Sequence, residues 1–169
     1  MPAITVERSK DETVVVMCWH DIVAIWIKGP MSIANQRDNE QRTKKWAERC
    51  PRGIGMMVVI EEGLPMPSAE VKRELNAIYD RLAPIVRGAA YVIHGGGLYG
   101  SMVRGSLTAM KWINPKRYPS SFAADVKQGA QWLYCTLGDD DERGTVDQFA
   151  DALSAAARGE EPMTLRTRS

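Results

Sequence analysis

The chain has 169 residues, 44% hydrophobic and 25% charged, which is enough for one globular domain that folds without a disulfide or a structural metal. The formal net charge of +1 argues against a nucleic-acid coat or a polybasic membrane anchor. Three widely spaced cysteines form no CxxC pair, which excludes a zinc site of ordinary spacing and favours a reducing compartment. The first residues are charged and lack the apolar core of a signal peptide, so we expect a cytoplasmic protein.

The first predicted elements are two strands around a tight turn. Residues 14–18 and 22–27 are rich in β-branched and aromatic side chains, and a short polar turn with His20 and Asp21 lies between them. Two such runs are typical of a β-hairpin. Residues 1–12 are predicted to be a segment that precedes the domain.

A polar helix and a buried strand follow the hairpin. The helix is predicted over 32–48 and ends before Pro51 and Gly53, which interrupt helical hydrogen bonding. Because it has few apolar residues, we expect it to lie on the surface. The apolar run 56–60 has the length and composition of a strand that is covered on both faces.

The strongest helical pattern begins at Ser68, whose hydroxyl can cap the first turn. Apolar residues recur at helical spacing from Val71 to Val86, and Gly88 is the predicted C-terminal stop. Residues 89–93 are predicted to form another buried strand.

The remaining predicted elements are shorter. A glycine-rich loop over 95–100 leads to a helix that opens at Ser101, and a short strand lies near Phe122. Asp125 and Thr145 each precede a glutamine by three residues, which is the signature of a capped helix start.

This order predicts an α/β fold with a single mixed five-stranded sheet covered by helices. We expect the domain to span 13–136. An acidic linker and an extra C-terminal helix are predicted over 137–158, and a disordered tail over 159–169.

Several stretches between residues 13 and 136 carry a family resemblance. They are His20-Asp21, Trp26-Ile27-Lys28-Gly29, Cys50-Pro51-Arg52-Gly53, Tyr91-Val92-Ile93-His94-Gly95-Gly96-Gly97, the helix with Arg104 and Leu107, and Phe122 followed by Asp125 to Leu133. Together with the element order, they resemble the STAS-like, SpoIIAA-like fold of bacterial anti-sigma-factor antagonists, in a divergent branch.

The resemblance implies a non-catalytic protein-interaction module in bacterial signalling or regulation. Its expected partner is another protein, and a homo-oligomer is compatible with it. Some family members are suggested to hold small or lipidic ligands. In the antagonists, a serine at the start of the helix after the third strand is phosphorylated, which disrupts partner binding. Ser68 has a comparable place here, so it is either a phosphorylation site or a plain helix cap.

A second candidate site is the glycine-rich stretch. Gly95, Gly97 and Gly100 fit the GxGxxG pattern, and Ser101 and Arg104 follow at the start of a helix. Backbone N–H groups in such a loop can approach a phosphate, which makes these five residues a candidate site for a small anionic ligand such as a nucleotide or acyl phosphate. A tight strand–helix turn also needs glycines for its own geometry, so a purely architectural role is the alternative.

No residue pattern indicates catalysis. His94 and the three glycines after it mimic the oxyanion loop of esterases, yet the sequence has no GxSxG nucleophile elbow. The acidic runs match no metal-site spacing. We therefore expect no enzyme activity, no cofactor and no metal.

The charges are unevenly distributed. Between Arg81 and Ala124 every charged residue is basic. Trp112, beside Lys111 and near Arg117, is a candidate contact surface for a partner protein, or alternatively a core residue.

Overall fold

The computed structural model describes residues 3–113 and 117–161. Within the first range, it describes only the backbone of residues 109–113. One six-stranded sheet, ordered β1-β2-β3-β4-β5-β6, carries helices on both faces. Its elements are β1 (Ile4–Arg8), β2 (Val14–Trp19), β3 (Ile22–Ile27), α1 (Ile33–Ala47), β4 (Ile54–Ile60), α2 (Ala69–Leu82), β5 (Val86–Ile93), α3 (Gly97–Ile113), β6 (Ser120–Ala123), α4 (Val126–Leu137) and α5 (Val146–Ala157). A short 3₁₀ turn over Asp141–Arg143 precedes α5.

The sheet is mixed, as predicted, but it has six strands. β1 to β3 pair antiparallel, and β3 to β6 run parallel. The prediction of five strands is wrong because it omits β1, which pairs with β2 from Ile4 opposite Trp19 to Arg8 opposite Val15. β1 lies at the edge of the sheet and is only partly buried, so its sequence lacks the apolar run that marks the inner strands.

The second long helix is shorter than its pattern predicts. α2 ends at Leu82, and Val86 already belongs to β5. Pro84 accounts for part of the difference, because its nitrogen has no N–H to donate to a carbonyl of the preceding turn. Gly88 is therefore not a helix stop. It lies in β5, where a Cβ atom would stand 2.8 Å from Cγ2 of Thr136, so it lets α4 pack closely on the sheet.

The predicted helix starts are confirmed at four positions. The side chains of Ser32, Ser68, Asp125 and Thr145 each accept a hydrogen bond from the backbone N–H three residues on, at 2.8 to 3.2 Å. The fifth start is wrong, since α3 begins at Gly97 and not at Ser101.

Side chains alternate between the two faces of the sheet, and each face has its own core. On the α1–α3 face, helices α1, α2 and α3 cover residues such as Val16, Met56 and Val58. On the α4–α5 face, α4 and α5 cover the neighbouring residues Met17 and Met57.

The α4–α5 face is filled by large side chains. The rings of Trp19 and Phe149 meet edge to face, with centroids 5.9 Å apart. Leu133 and Leu153 are completely buried beside them. Helix α5, predicted as an extra C-terminal helix, contributes Phe149 and Leu153 to this core.

A buried ion pair connects this face to the turn before α5. Arg143 is 1% exposed, and its Nε and Nη2 donate to the two carboxylate oxygens of Asp21 at 2.6 and 2.8 Å. The Nη1 of Arg143 donates to the carbonyl of Gly138. The backbone carbonyl of Arg143 accepts a hydrogen bond from the indole N–H of Trp19. The pair fixes the hairpin turn to the C-terminal part of the domain.

Candidate binding cavity between the sheet and helices α1 to α3

A mainly apolar cavity lies on the α1–α3 face. Strands β3 and β4 form its floor, α2 and α3 form two walls, and the β4–α2 loop 64–67 lies at its rim. The space that water could fill measures about 50 Å³, within about 790 Å³ of empty space that includes the part open to solvent. This cavity interrupts an otherwise close-packed core.

The third wall is a row of polar side chains on α1. Gln36, Asn39, Glu40 and Thr43 all line the cavity, and none is more than 6% exposed. The expectation of a surface helix is wrong for this side of α1, because Trp46 packs into the core at the end of the row and carries the polar residues inward with it.

Glu40 is held in its place by cations outside the cavity. Arg81 donates to both carboxylate oxygens, at 2.7 and 2.8 Å, and the ammonium group of Lys44 lies 2.7 Å from one of them. The hydrogen bond from Arg81 lowers the pKa of Glu40 from 4.5 to about 2, so the carboxylate is charged at neutral pH. Among the described residues that line the cavity, Glu40 alone carries a charge.

The amide groups of Gln36 and Asn39 lack partners. Gln36 Nε2 and Asn39 Nδ2 are fully buried, and within the described part of the chain neither donates a hydrogen bond. Thr43, by contrast, donates to the carbonyl of Asn39 at 2.8 Å. A buried donor without an acceptor costs about 1–3 kcal/mol, so both groups favour an acceptor that enters the cavity.

The tyrosines of the cavity walls are neutral. Burial raises the pKa of Tyr79 well above its ordinary value, and burial also raises that of Tyr99. The hydroxyl of Tyr99 donates to the carbonyl of Glu61 at 3.1 Å, which ties α3 to the end of β4. The walls therefore offer apolar surface and few polar groups.

The structure brings Arg104 to the predicted glycine loop. The two terminal nitrogens of its guanidinium lie 3.2 and 3.3 Å from the place where a Cβ on Gly100 would stand. Gly97 and Gly100 belong to α3 itself, and Ser101 is exposed on it.

The same loop has clear architectural needs. Gly95 has a φ of +100°, and a Cβ on Gly100 would lie 2.7 Å from the carbonyl oxygen of Gly95. The side chain of Glu62 packs against Gly95, which places an acid beside the proposed anion site. Anion binding by this loop stays a prediction, and the glycines are explained by geometry alone.

The other predicted site residues are dispersed. Ser68 is exposed at the start of α2, and its phosphorylation stays a prediction. Arg117 donates to the carboxylate of Asp80 at 2.7 Å and to the carbonyl of Asn76, so its charge is engaged within the domain. The side chains of Lys111 and Trp112, and residues 162–169 of the predicted tail, lie outside the described residues.

The two histidines lie at opposite ends of the parallel strands. His20 precedes β3 and lies 3.3 Å from Asp140, whereas His94 follows β5 and contacts the ring of Trp26 edge to face. Neither lines the cavity. Over residues 3–113 and 117–161, no three His, Cys, Asp or Glu side chains are grouped so that they could hold a metal ion.

The outer side of α3 exposes apolar side chains. Leu98 is 78% exposed and Met102 is 50% exposed, and their spacing of four places them on one side of the helix. The inner side of the same helix, with Val103, forms the cavity wall. Of the helices that the structure describes, none is both long enough and apolar enough to cross a bilayer.

Comparison with solved structures gives a likeness of fold. The chain is similar to the crystal structure of an uncharacterized protein from the DUF3478 family with a SpoIIAA-like fold from Shewanella loihica PV-4. The two chains are 16% identical, the match covers 78% of this chain and 93% of that one, and the TM-score is 0.41. That protein has the fold that the sequence resemblance implies.

No protein-family model matches the chain, and no curated protein matches it either.

Proposed function

We propose that this domain is a non-catalytic binding module that takes up a small, mainly apolar molecule in the cavity of the α1–α3 face. The observation that carries the proposal is the cavity itself, an apolar space with a few polar groups at one wall. Such pockets are the usual form of small-molecule sites. This site is not the glycine loop that the sequence suggests. Its ligand class, a mainly apolar molecule, overlaps with the lipidic ligands that the family resemblance implies.

The size of the cavity restricts the shape of the ligand. A dry cavity of about 150 Å³ holds benzene, so a volume of about 50 Å³ is too small for a ring. A linear chain fits better, because only part of its length needs to occupy this volume. Apolar walls stabilise such a chain by about 0.8 kcal/mol for each buried methylene.

Blocking the cavity tests the proposal. Ser106 lines the cavity from α3, and Ser101 is exposed on the same helix, so Ser106→Trp and Ser101→Trp form a matched pair. Linear alcohols of increasing chain length should raise the melting temperature of the wild type and of Ser101→Trp, but not that of Ser106→Trp. If no alcohol stabilises the wild type, the proposal is wrong.

A second candidate function is protein interaction through the outer side of α3, and the exposure of Leu98 and Met102 favours it. A photo-crosslinking side chain at Met102 should then capture one defined protein in the native cell. Leu98→Glu should abolish that product, whereas Glu70→Lys, a change at an exposed position on α2, should preserve it. Crosslinks that are equally strong in both variants would contradict this function.

A further inference from the structure

We propose that the cavity recognises a neutral carbonyl oxygen on its apolar ligand, and that Gln36 and Asn39 donate the two hydrogen bonds. This inference rests on the proposed function, because it names the chemical class of the molecule that the cavity takes up. The expected ligand is a linear chain with a ketone, aldehyde or ester group at the end that lies against α1.

The two amides are buried on the cavity wall without acceptors. Gln36 is 6% exposed and Asn39 is 4% exposed, and both line the cavity. Their terminal nitrogens have no partner among the described residues. A ligand oxygen would remove the energetic cost of both groups at once.

The spacing of the two residues suits one acceptor. Residues three positions apart on a helix have Cβ atoms roughly 5–6 Å apart and lie on the same side. A carbonyl oxygen has two lone pairs, so it can accept one hydrogen bond from each amide.

The polar wall is a poor match for ionised ligands. Glu40 lies one residue after Asn39 and is the one charged group among the described lining residues. Its cationic partners Arg81 and Lys44 are engaged with its own carboxylate and do not line the cavity. A ligand carboxylate would meet this like charge. A ligand ammonium has no lone pair to accept from the two amides, so it would leave both donors unpaired.

A hydroxyl group is a weaker match than a carbonyl. It could accept from the amides, but its own proton would then need an acceptor in the cavity. Arg81 and Lys44 occupy three of the roughly four acceptor positions on Glu40, which leaves at most one for such a proton. A carbonyl brings no proton and leaves no new group unpaired.

The test is a set of probes with the same chain length, measured by calorimetric titration at neutral pH. The set comprises a linear alkane, a methyl ketone, a fatty acid and a primary amine. Two hydrogen bonds of about 1 kcal/mol each correspond to roughly a thirtyfold gain in affinity, so the ketone should bind the wild type about that much more tightly than the alkane. The acid and the amine should bind more weakly than the ketone.

Variants of α1 measure how much each amide contributes to the preference for the ketone. Gln36→Leu and Asn39→Leu should each reduce the preference for the ketone by at least about fivefold, while the affinity for the alkane stays within about twofold. Gln41→Leu, on the exposed side of the same helix, should preserve the full preference. If Gln36→Leu does not fold, Asn39→Leu alone decides the question.

The outcomes separate this inference from the proposed function. Alkane binding without a ketone preference would overturn the role of the amides and leave the cavity as a binding site. Tighter binding of the acid than of the ketone would also overturn it. If no probe binds at all, the proposed function fails, and this inference fails with it.

Discussion

The two faces of the sheet bury similar strands in different ways. The α4–α5 face is filled by Trp19, Phe149 and fully buried leucines, and its buried ion pair has every charge matched. The α1–α3 face surrounds a cavity and buries two amide donors without partners. The α4–α5 layer therefore stabilises the fold by close packing. The α1–α3 layer is packed less completely, and the space that remains suits a ligand.

The largest test of this contrast is removal of Arg143. Arg143→Met leaves the carboxylate of Asp21 buried without a partner, so the free energy of unfolding should fall by about 3–5 kcal/mol in urea denaturation. Replacing both residues, in Asp21→Leu with Arg143→Met, should recover most of the loss. A small effect of the single variant would show that the α4–α5 face does not depend on this pair.

The same truncation on each face should have different costs. Leu153→Ala on the α4–α5 face should cost about 2–5 kcal/mol, because a completely buried leucine loses contacts on all sides. Leu75→Ala should cost less, since Leu75 already borders the cavity. Equal changes in the urea midpoint would contradict the difference in packing.

A substitution that removes an unpaired donor should stabilise the domain. Gln36→Leu replaces a buried amide by an apolar group of similar size, so the free energy of unfolding should rise by about 1 kcal/mol. Gln41→Leu is the control, and its effect should lie within about 0.5 kcal/mol. Destabilisation by Gln36→Leu would mean that its amide is satisfied in the empty protein.

The smallest expected effect is a pH dependence from Glu40. Because its pKa falls from 4.5 to about 2 on folding, Glu40 stabilises the native state above pH 4.5 and loses this contribution as the pH falls toward 2. The stability difference between wild type and Glu40→Gln should therefore shrink over that range in urea titrations. Arg81 and Lys44 are 43% and 39% exposed, and solvent screening keeps the effect small. A constant difference would show that the ion pair does not form.

The sequence predicts the inner strands and most helix starts correctly. The apolar runs at 22–27 and 56–60 lie inside β3 and β4, and the caps at Ser68 and Thr145 are where the residue pattern predicts them. These features depend on local chemistry, such as strand composition and capping hydroxyls, that short stretches of sequence contain.

The candidate site could not be predicted in the same way. Gln36, Asn39, Glu40 and Thr43 recur at helical spacing, which is also the pattern of a solvent-exposed side. The one sequence signal that this side of α1 faces inward is Trp46, an apolar residue that follows Thr43 by three positions and is buried. Whether polar residues face water or a cavity depends on packing against α2 and the sheet, which local sequence does not specify.

The strand order has a consequence for how the chain folds during synthesis. Because every strand pairs only with its neighbours along the chain, the sheet can grow one strand at a time as the polypeptide leaves the ribosome. Helix α5 is the exception, since Phe149 must return to Trp19 near the start of the chain. Until that helix has been translated, α4 covers only its own part of this face, and the part over β2 remains exposed to chaperones or to aggregation.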